Sequence, residues 1–254
     1  MTLTRRVTML SLAGAAGLGA SNRALSQPAV PSGWPSRPIR IVVTFAPGGS
    51  TDLVARLIAL GLQDRLGQPV VIENRAGAGG TTATGQVARA EPDGHTLVFS
   101  TSTARAIGPA LYRSVQYDAM RDFVHVALLC TNHLVFAANP RFAARDLADL
   151  VRLSQTAPGG LDMASSGAGS LNHMLIVHFA NTAGAHLNHV AYRGAGPAMA
   201  AVIGGEVPLM SDSLPSASAH IRQGVVRALG IPGDRRSEQF PDVPTFREQS
   251  FDIV

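Results

Sequence analysis

Hydrophobic positions in the first part of the chain alternate between short β-branched runs and longer segments with helical spacing. The apolar runs at residues 39–45, 69–73 and 96–100 are each short enough to be a buried strand. Between the first two runs, residues 53–66 have apolar side chains at helical spacing, and Gly67 provides a stop signal. This alternation predicts an α/β sheet with mostly parallel strands.

The second part of the chain repeats the same order of elements. Residues 124–137 form a long apolar stretch interrupted by polar residues at 131–133, and we expect two successive strands there that carry the chain between two lobes. The other segments divide into predicted helices, at 145–154, 171–180, 198–203 and 214–223, and predicted strands, at 189–192 and 207–210. The repeated order predicts two lobes of similar construction.

The first 26 residues have the three parts of a secretory signal peptide. Arg5 and Arg6 precede an apolar stretch at residues 7–20, and small residues at Ala24 and Ser26 favour cleavage before Gln27. We therefore expect export to the periplasm, by the Sec route in preference to the twin-arginine route, for which the arginine pair is a partial match. No later run of about 18 apolar residues follows, so no membrane anchor is expected.

Charge and composition exclude several classes of protein. All 21 basic residues are arginine, which excludes a Walker A loop and a Schiff-base lysine. Without the leader arginines at 5, 6 and 23, 18 arginines face 17 acidic residues, so the mature chain is close to neutral. It has no basic run that would indicate a nucleic-acid partner. The single cysteine, Cys130, lies in an apolar run and is expected to be buried.

Four predicted strand-to-helix turns combine glycines with hydroxyl or charged residues. They are Pro47-Gly48-Gly49-Ser50-Thr51-Asp52, Gly77-Ala78-Gly79-Gly80-Thr81-Thr82, Ser165-Ser166-Gly167-Ala168-Gly169-Ser170 and Arg193-Gly194-Ala195-Gly196. Backbone amides at helix N-termini attract anions, and such turns gather at the carboxyl ends of parallel strands. The other interpretation is that these turns only begin helices, with Asp52 as a cap. Asp52 and Asp212 are the acidic residues that we single out.

Sequence patterns of common enzymes are missing. The Gly-x-Gly pairs at 77–79 and 167–169 lack the third glycine of a dinucleotide-binding fingerprint, and no serine stands in a Gly-x-Ser-x-Gly context. His173 and His178 do not share a helix face, and the histidines are assigned core or surface roles. We expect no catalytic residue, no metal site and no cofactor.

Much of the chain closely resembles the Bug/TctC family, the extracytoplasmic solute receptors of tripartite tricarboxylate transporters. The resemblance is carried by residues 34–43, 47–56, 66–75, 77–80, 90–97, 109–112, 121–123, 189–194, 204–207, 214–217 and 241–245. It spans nearly the whole of the expected mature chain.

The resemblance implies a type II-like two-lobed periplasmic binding protein, in which helices flank a mainly parallel sheet in each lobe. The first lobe would comprise residues 27–131 and the second 132–227, and residues 228–254 would return to the first lobe. Turns 46–52 and 77–82 would act as pincers on a ligand carboxylate, faced by turn 165–170 and by Tyr192, Arg193 and Gly194. We add Asp212 to this expected ligand-binding set.

The same resemblance implies that the protein is a monomeric receptor, and not an enzyme, that delivers a small carboxylate to transporter subunits in the membrane. The sequence departs from the family pattern at two places. Thr81-Thr82-Ala83 replaces a common Asn-Ile-Gly, and the chain stops where relatives continue into segments that complete the first lobe. We therefore expect an incomplete first lobe with exposed apolar surface. A non-functional truncated remnant and an α/β enzyme using the same cleft remain the alternatives.

Overall fold

Three parallel strands form the first sheet in the computed structural model, which describes residues 33–253. They are β1 (Ile39–Val43), β2 (Val70–Asn74) and β3 (Thr96–Phe99), in the order β2-β1-β3. The helical segments of this part are α1 (Ser50–Leu66), a 3-10 turn (Ala78–Gly80), α2 (Thr81–Val87), a π-helical turn (Thr103–Ile107) and α3 (Gly108–Leu111). We refer to this sheet and its helices as the first lobe. The predicted signal peptide lies outside the described residues.

Five strands form the second sheet, in the order β6-β5-β7-β4-β8. They are β4 (Leu134–Ala138), β5 (Leu161–Ser165), β6 (Leu187–Ala191), β7 (Leu209–Ser213) and β8 (Arg227–Gly230). Its helices are α4 (Leu147–Thr156), α5 (Leu171–Ala183), α6 (Ala195–Gly204) and α7 (Leu214–Arg222). β5 lies between its parallel neighbours β6 and β7, as β1 lies between β2 and β3. We call this sheet and its helices the second lobe, and it repeats the construction of the first.

Helix ends follow the local signals in the sequence. Ser170 begins α5, and its hydroxyl accepts a hydrogen bond from the backbone N–H of His173 at 3.1 Å. α1 ends at Gly67, whose φ of 66° is left-handed and therefore suits glycine. Within the described residues, no helix is both long and apolar enough to cross a bilayer.

The last described segment packs on the second lobe. β8 pairs antiparallel with β4, and the buried Phe246 forms edge contacts with Phe136 and Phe179 at centroid distances of 4.9 and 5.6 Å. Ile253 belongs to the same buried cluster. The expected return of residues 228–254 to the first lobe is therefore corrected: up to residue 253, the apolar side chains of this segment complete the second-lobe core.

The linking segment also differs from its prediction. Residues 124–133 form no strand, and only the second of the two expected strands is present, as β4. Val124, Val126 and Leu128 are exposed, and so is Cys130, which we expected to be buried. The apolar composition of this segment predicted burial, but within the described residues no strand pairs with it and its side chains stay uncovered.

Several large apolar side chains are exposed on α1 of the first lobe. Leu53, Leu57 and Leu60 on α1 are 48%, 71% and 65% exposed. Together with β3 and the linking segment, α1 borders a cavity of about 1280 Å³, which we call the large cavity. One end of the large cavity reaches the turns between the lobes.

Candidate functional site

The first predicted turn lies directly against the start of α6. A Cβ atom added to Gly196 would lie 2.7 Å from the carbonyl oxygen of Pro47, and one added to Gly194 would lie 2.8 Å from the Cβ of Ala46. Only a residue without a side chain allows so close an approach of two backbones. The first and fourth turns, from opposite lobes, therefore meet.

The second turn and the segment 103–112 that follows β3 contact the third turn. Tyr112, which follows α3, donates a hydrogen bond from its hydroxyl to the carbonyl oxygen of Ala168 at 2.7 Å. The backbone N–H of Leu171 donates to Thr103 Oγ1 at 3.2 Å. A Cβ on Gly79 would lie 3.6 Å from the carbonyl oxygen of Ala168. All four turns singled out in the sequence thus lie between the two lobes.

A cavity of about 480 Å³, which we call the cleft cavity, lies among the second, third and fourth turns. Its lining residues are Phe45, Ala76, Gly77, Ala78, Gly79, Tyr112, Ser166, Gly167, Ala168, Ala191, Tyr192 and Arg193. The volume is in the usual range for small-molecule sites. Arg193 is exposed, and none of the ion pairs formed within residues 33–253 includes it. Its charge is therefore available to an anion.

The cleft cavity adjoins the polar end of the large cavity, because Phe45 and Ser166 line both. At this end the predicted site residues that line the large cavity are Gly49, Ser50, Thr51, Ser166, Ser170 and Asp212. Four helices of eight or more residues, α1, α5, α6 and α7, begin around the two cavities. Their N-termini contribute partial positive charge to this region.

Asp52 holds the first turn in place. Its buried carboxylate accepts hydrogen bonds from the Gly48 N–H at 3.1 Å, from Arg56 Nε at 3.0 Å and from Asn74 Nδ2 at 2.9 Å. Burial alone would raise the pKa of Asp52, but the hydrogen bonds from Arg56, Gly48 and Asn74 outweigh it and lower the pKa. Asp52 therefore fixes the turn and does not line either cavity.

Other predicted site residues also shape the turns from outside the two cavities; they are Pro47, Gly48, Gly80, Thr81, Thr82, Ser165 and Gly194. Thr81 Oγ1 donates to the carbonyl oxygen of Ala78 at 2.8 Å. Gly80 has a φ of 91°, and a Cβ there would lie 2.9 Å from the Cβ of Thr44. Residues that sequence reasoning missed, such as Phe45 and Tyr112, line the cleft cavity, and no glycine-turn pattern distinguishes them.

Asp212 is the other acidic residue singled out, and its surroundings differ. It lies at the end of β7, 1% exposed, and accepts hydrogen bonds from the Ser213 N–H at 2.7 Å and from Ser216 Oγ at 2.6 Å. Burial raises the pKa of Asp212 to about 6, although the bonds from Ser216 and Ser213 act in the opposite direction. No ion pair within the described residues compensates its charge.

Two histidines stack beneath the third turn. The spacing of histidines in the sequence did not predict this stack. The rings of His173 and His189 are 3.7 Å apart, and Nδ1 of His173 accepts the N–H of Gly169 at 3.0 Å. His189 Nε2 lies 2.6 Å from Ser165 Oγ. Burial and then His173 lower the pKa of His189 to about 4, so the pair is neutral near pH 7.

No group of three or more His, Cys, Asp or Glu side chains that could hold a metal ion occurs in the part of the chain that the structure describes. The stacked histidines lie under a backbone turn and support its shape. The polar groups of the site are therefore turn amides, hydroxyls, Arg193 and Asp212, an arrangement that can bind a small anion.

Sequence comparison matches this chain to one family over most of its length. The family model described as "Tripartite tricarboxylate transporter family receptor" matches residues 54–254. The chain is 38% identical to the protein BugT of Bordetella pertussis over 252 residues, which cover 99% of this chain and 76% of BugT.

Solved structures show the same two-lobed arrangement. MatC (Rpa3494) from Rhodopseudomonas palustris, solved with bound malate, is 36% identical with a TM-score of 0.81, over 86% of this chain and 74% of that one. Rpa4515 from R. palustris, solved with adipate, is 31% identical with a TM-score of 0.83, over 86% and 73% of the two chains. The predicted fold, a two-lobed periplasmic binding protein, is thereby confirmed.

Proposed function

Because this chain belongs to the tripartite tricarboxylate transporter family of receptors, we propose that it captures a small organic carboxylate between its lobes and delivers it to the membrane subunits of such a transporter. One observation carries the proposal. The second, third and fourth turns line a cavity of about 480 Å³ between the lobes, and this cavity includes Arg193, which forms no ion pair within the described residues. Similar proteins solved with malate and adipate support an organic acid as the ligand.

The chemistry of the cleft cavity favours an anion. Arg193 can donate two parallel hydrogen bonds to one carboxylate, and the N-termini of α5 and α6 add partial positive charge. The glycines at 77 and 79 let the second turn approach a ligand without side chains in between. On this proposal the predicted pincers, turns 46–52 and 77–82, bind from the first lobe and the other two turns bind from the second.

The test is binding by the purified chain, measured by calorimetry with malate, adipate, succinate and citrate. We expect Arg193→Ala to weaken the tightest ligand by about 10- to 100-fold, the loss of one charge-assisted hydrogen-bonded pair. Arg235→Ala is the matched control, because Arg235 is also exposed and lines neither cavity. Equal affinity in the two variants would contradict the assignment of Arg193.

The proposal includes a receptor role and a compartment. Since the family's receptors are periplasmic, we propose that residues 1–26 direct export and that the mature chain begins at Gln27 as a monomer. N-terminal sequencing of the periplasmic fraction tests the cleavage site. We further propose that the ligand is bound and not converted, so NMR spectra of a bound carboxylate should be unchanged after prolonged incubation. A new product signal would favour an α/β enzyme.

A further inference from the structure

We propose that Asp212 makes the receptor select carboxylates that also carry a hydrogen-bond donor, a hydroxyl or an ammonium group. This inference rests on the proposed function and names the ligand chemistry of the same site. It follows from three features of the structure: the Asp212 carboxylate has no cationic partner within the described residues, it retains acceptor capacity, and it lines the cavity that adjoins the one lined by Arg193.

The carboxylate of Asp212 is buried without a cation. A buried carboxylate is costly unless it is paired or fully hydrogen-bonded, and none of the ion pairs formed within residues 33–253 includes this one. Asp52 has the partner that Asp212 lacks, since Arg56 lies 3.0 Å from it. A ligand that brings a donor to Asp212 would supply the missing compensation.

Asp212 also retains room for another donor. Its two oxygens each accept one hydrogen bond, from the Ser213 N–H and from Ser216 Oγ, whereas a carboxylate has about four acceptor positions. About two acceptor positions of Asp212 therefore remain, and Asp212 lines the polar end of the large cavity. In the same cavity, the buried hydroxyl oxygens of Ser100 and Thr101 form no hydrogen bond within the described residues. The cavity therefore offers more polar groups than the protein itself satisfies.

Arg193 and Asp212 give the two adjoining cavities one basic and one acidic side chain near a ligand. Arg193 lines the cleft cavity, Asp212 lines the large cavity, and the two cavities share Phe45 and Ser166. A ligand that spans this junction would place its carboxylate toward Arg193 and its donor toward Asp212. A carboxylate without a donor would instead leave Asp212 buried and uncompensated, or bring a second negative charge toward it.

If Asp212 had a purely structural role, its substitution would have a different effect on ligand binding. Through Ser213 and Ser216 the carboxylate also braces the start of α7. If this were its whole role, replacing it would change stability and leave the relative affinities of different ligands unchanged. The ratio of affinities, and not the affinity itself, is therefore the informative measurement.

The experiment uses succinate, malate and aspartate, which share a four-carbon dicarboxylate skeleton and differ by a hydrogen, a hydroxyl or an ammonium group. Calorimetry with the full purified chain should give at least about 10-fold tighter binding of malate or aspartate than of succinate, the equivalent of one hydrogen bond to a charged group. Tighter malate assigns the donor as a hydroxyl, and tighter aspartate assigns it as an ammonium group.

Asp212→Asn should reduce this preference to less than about 3-fold. Asp242→Asn, the same change at an exposed carboxylate that lines neither cavity, should leave the preference as it is. If Asp212→Asn does not fold, Ser216→Ala provides the test. This substitution removes the hydroxyl that donates to Asp212, so it frees an acceptor position and should increase the preference for malate or aspartate over succinate.

Three results would overturn the proposal: equal affinity of the native chain for all three acids, an unchanged ratio in a folded Asp212→Asn variant, or an unchanged ratio in Ser216→Ala. The first of these leaves the proposed carboxylate receptor intact. Failure of every carboxylate to bind the native chain would instead overturn the proposed function, and this inference with it.

Discussion

Substituting Gly196 with alanine should weaken ligand binding by preventing full contact between the lobes. Gly196 is in the first turn of α6, and an added Cβ would lie 2.7 Å from the carbonyl oxygen of Pro47 in the opposite lobe. Its φ is not positive, so alanine fits the backbone of α6 without strain. The perturbation therefore acts on the contact between the turns and spares the fold of either lobe.

The size of the effect follows from the overlap. Ordinary contact of a Cβ begins at about 3.4 Å, so the two turns must separate by roughly 0.7 Å at this point. A gap of 0.5–1 Å forfeits about a quarter to a half of the dispersion energy of the contacts that it opens. We expect a loss of about 1–2 kcal/mol in binding, which is roughly a 5- to 30-fold rise in Kd.

Gly204→Ala provides a matched control in the same helix. Gly204 is the last residue of α6, and an added Cβ there would meet nothing within 4 Å. Both substitutions reduce the flexibility of the unfolded chain, and neither should lower the melting temperature of the unliganded protein. The assay is calorimetric titration of both variants and the native chain with malate or adipate, whichever binds the native chain more tightly.

The result that would refute this reasoning is a Gly196→Ala variant that binds as tightly as Gly204→Ala and the native chain. Direct contact between the first turn and α6 would then be unnecessary in the bound state. A lower melting temperature of unliganded Gly196→Ala, with Gly204→Ala unaffected, would show that the contact supports the fold itself.

Three further substitutions test the surroundings of the site. Asp52→Asn should cost about 1–3 kcal/mol of unfolding free energy at pH 7; because the pKa of Asp52 is lowered on folding, urea titrations should show this cost shrinking below about pH 4, and an equal cost at both pH values would contradict it. His189 stays neutral in the folded chain to about pH 4, so the native protein should lose up to about 3 kcal/mol between pH 6.5 and pH 4 as unfolded His189 takes up a proton. His189→Gln should lose less over this window, and parallel pH curves would count against the assignment. Phe246→Ala should cost about 3–5 kcal/mol in urea unfolding, because Phe246 is fully buried in the second-lobe core, and a cost under about 1 kcal/mol would place it outside that core.

Local sequence signals were sufficient for most elements and for the position of the turns. The stop at Gly67, the cap at Ser170 and the glycines at 48–49 and 79–80 act within a few residues of the backbone they shape. Helical and strand periodicity located α1 and β1–β3 to within a few residues. Since parallel strands direct their carboxyl ends to one edge, the gathering of the turns followed from the order of elements.

Features that depend on distant residues could not be predicted from the sequence. Phe246 packs against Phe136 and Phe179 of the second lobe. The linking segment through Cys130 remains exposed because no described strand pairs with it. The stack of His173 on His189 joins α5 to β6. Hydropathy reports that a side chain favours burial, but it does not report which partner will be present to bury it.

The two acidic residues singled out in the sequence show why a site must be judged by charge compensation and not by residue type. Asp52 and Asp212 both lie where a strand passes into a helix, and both are almost fully buried. Asp52 has an arginine, an amide and a backbone N–H as donors, so its charge is compensated within the protein. Asp212 has a backbone N–H and a hydroxyl, and its raised pKa reflects the cost of keeping that charge buried. A ligand can reduce the free-energy cost of a buried charge only where the protein does not compensate that charge itself. Asp52 therefore maintains the shape of the turn, whereas Asp212 is the acid able to discriminate among ligands.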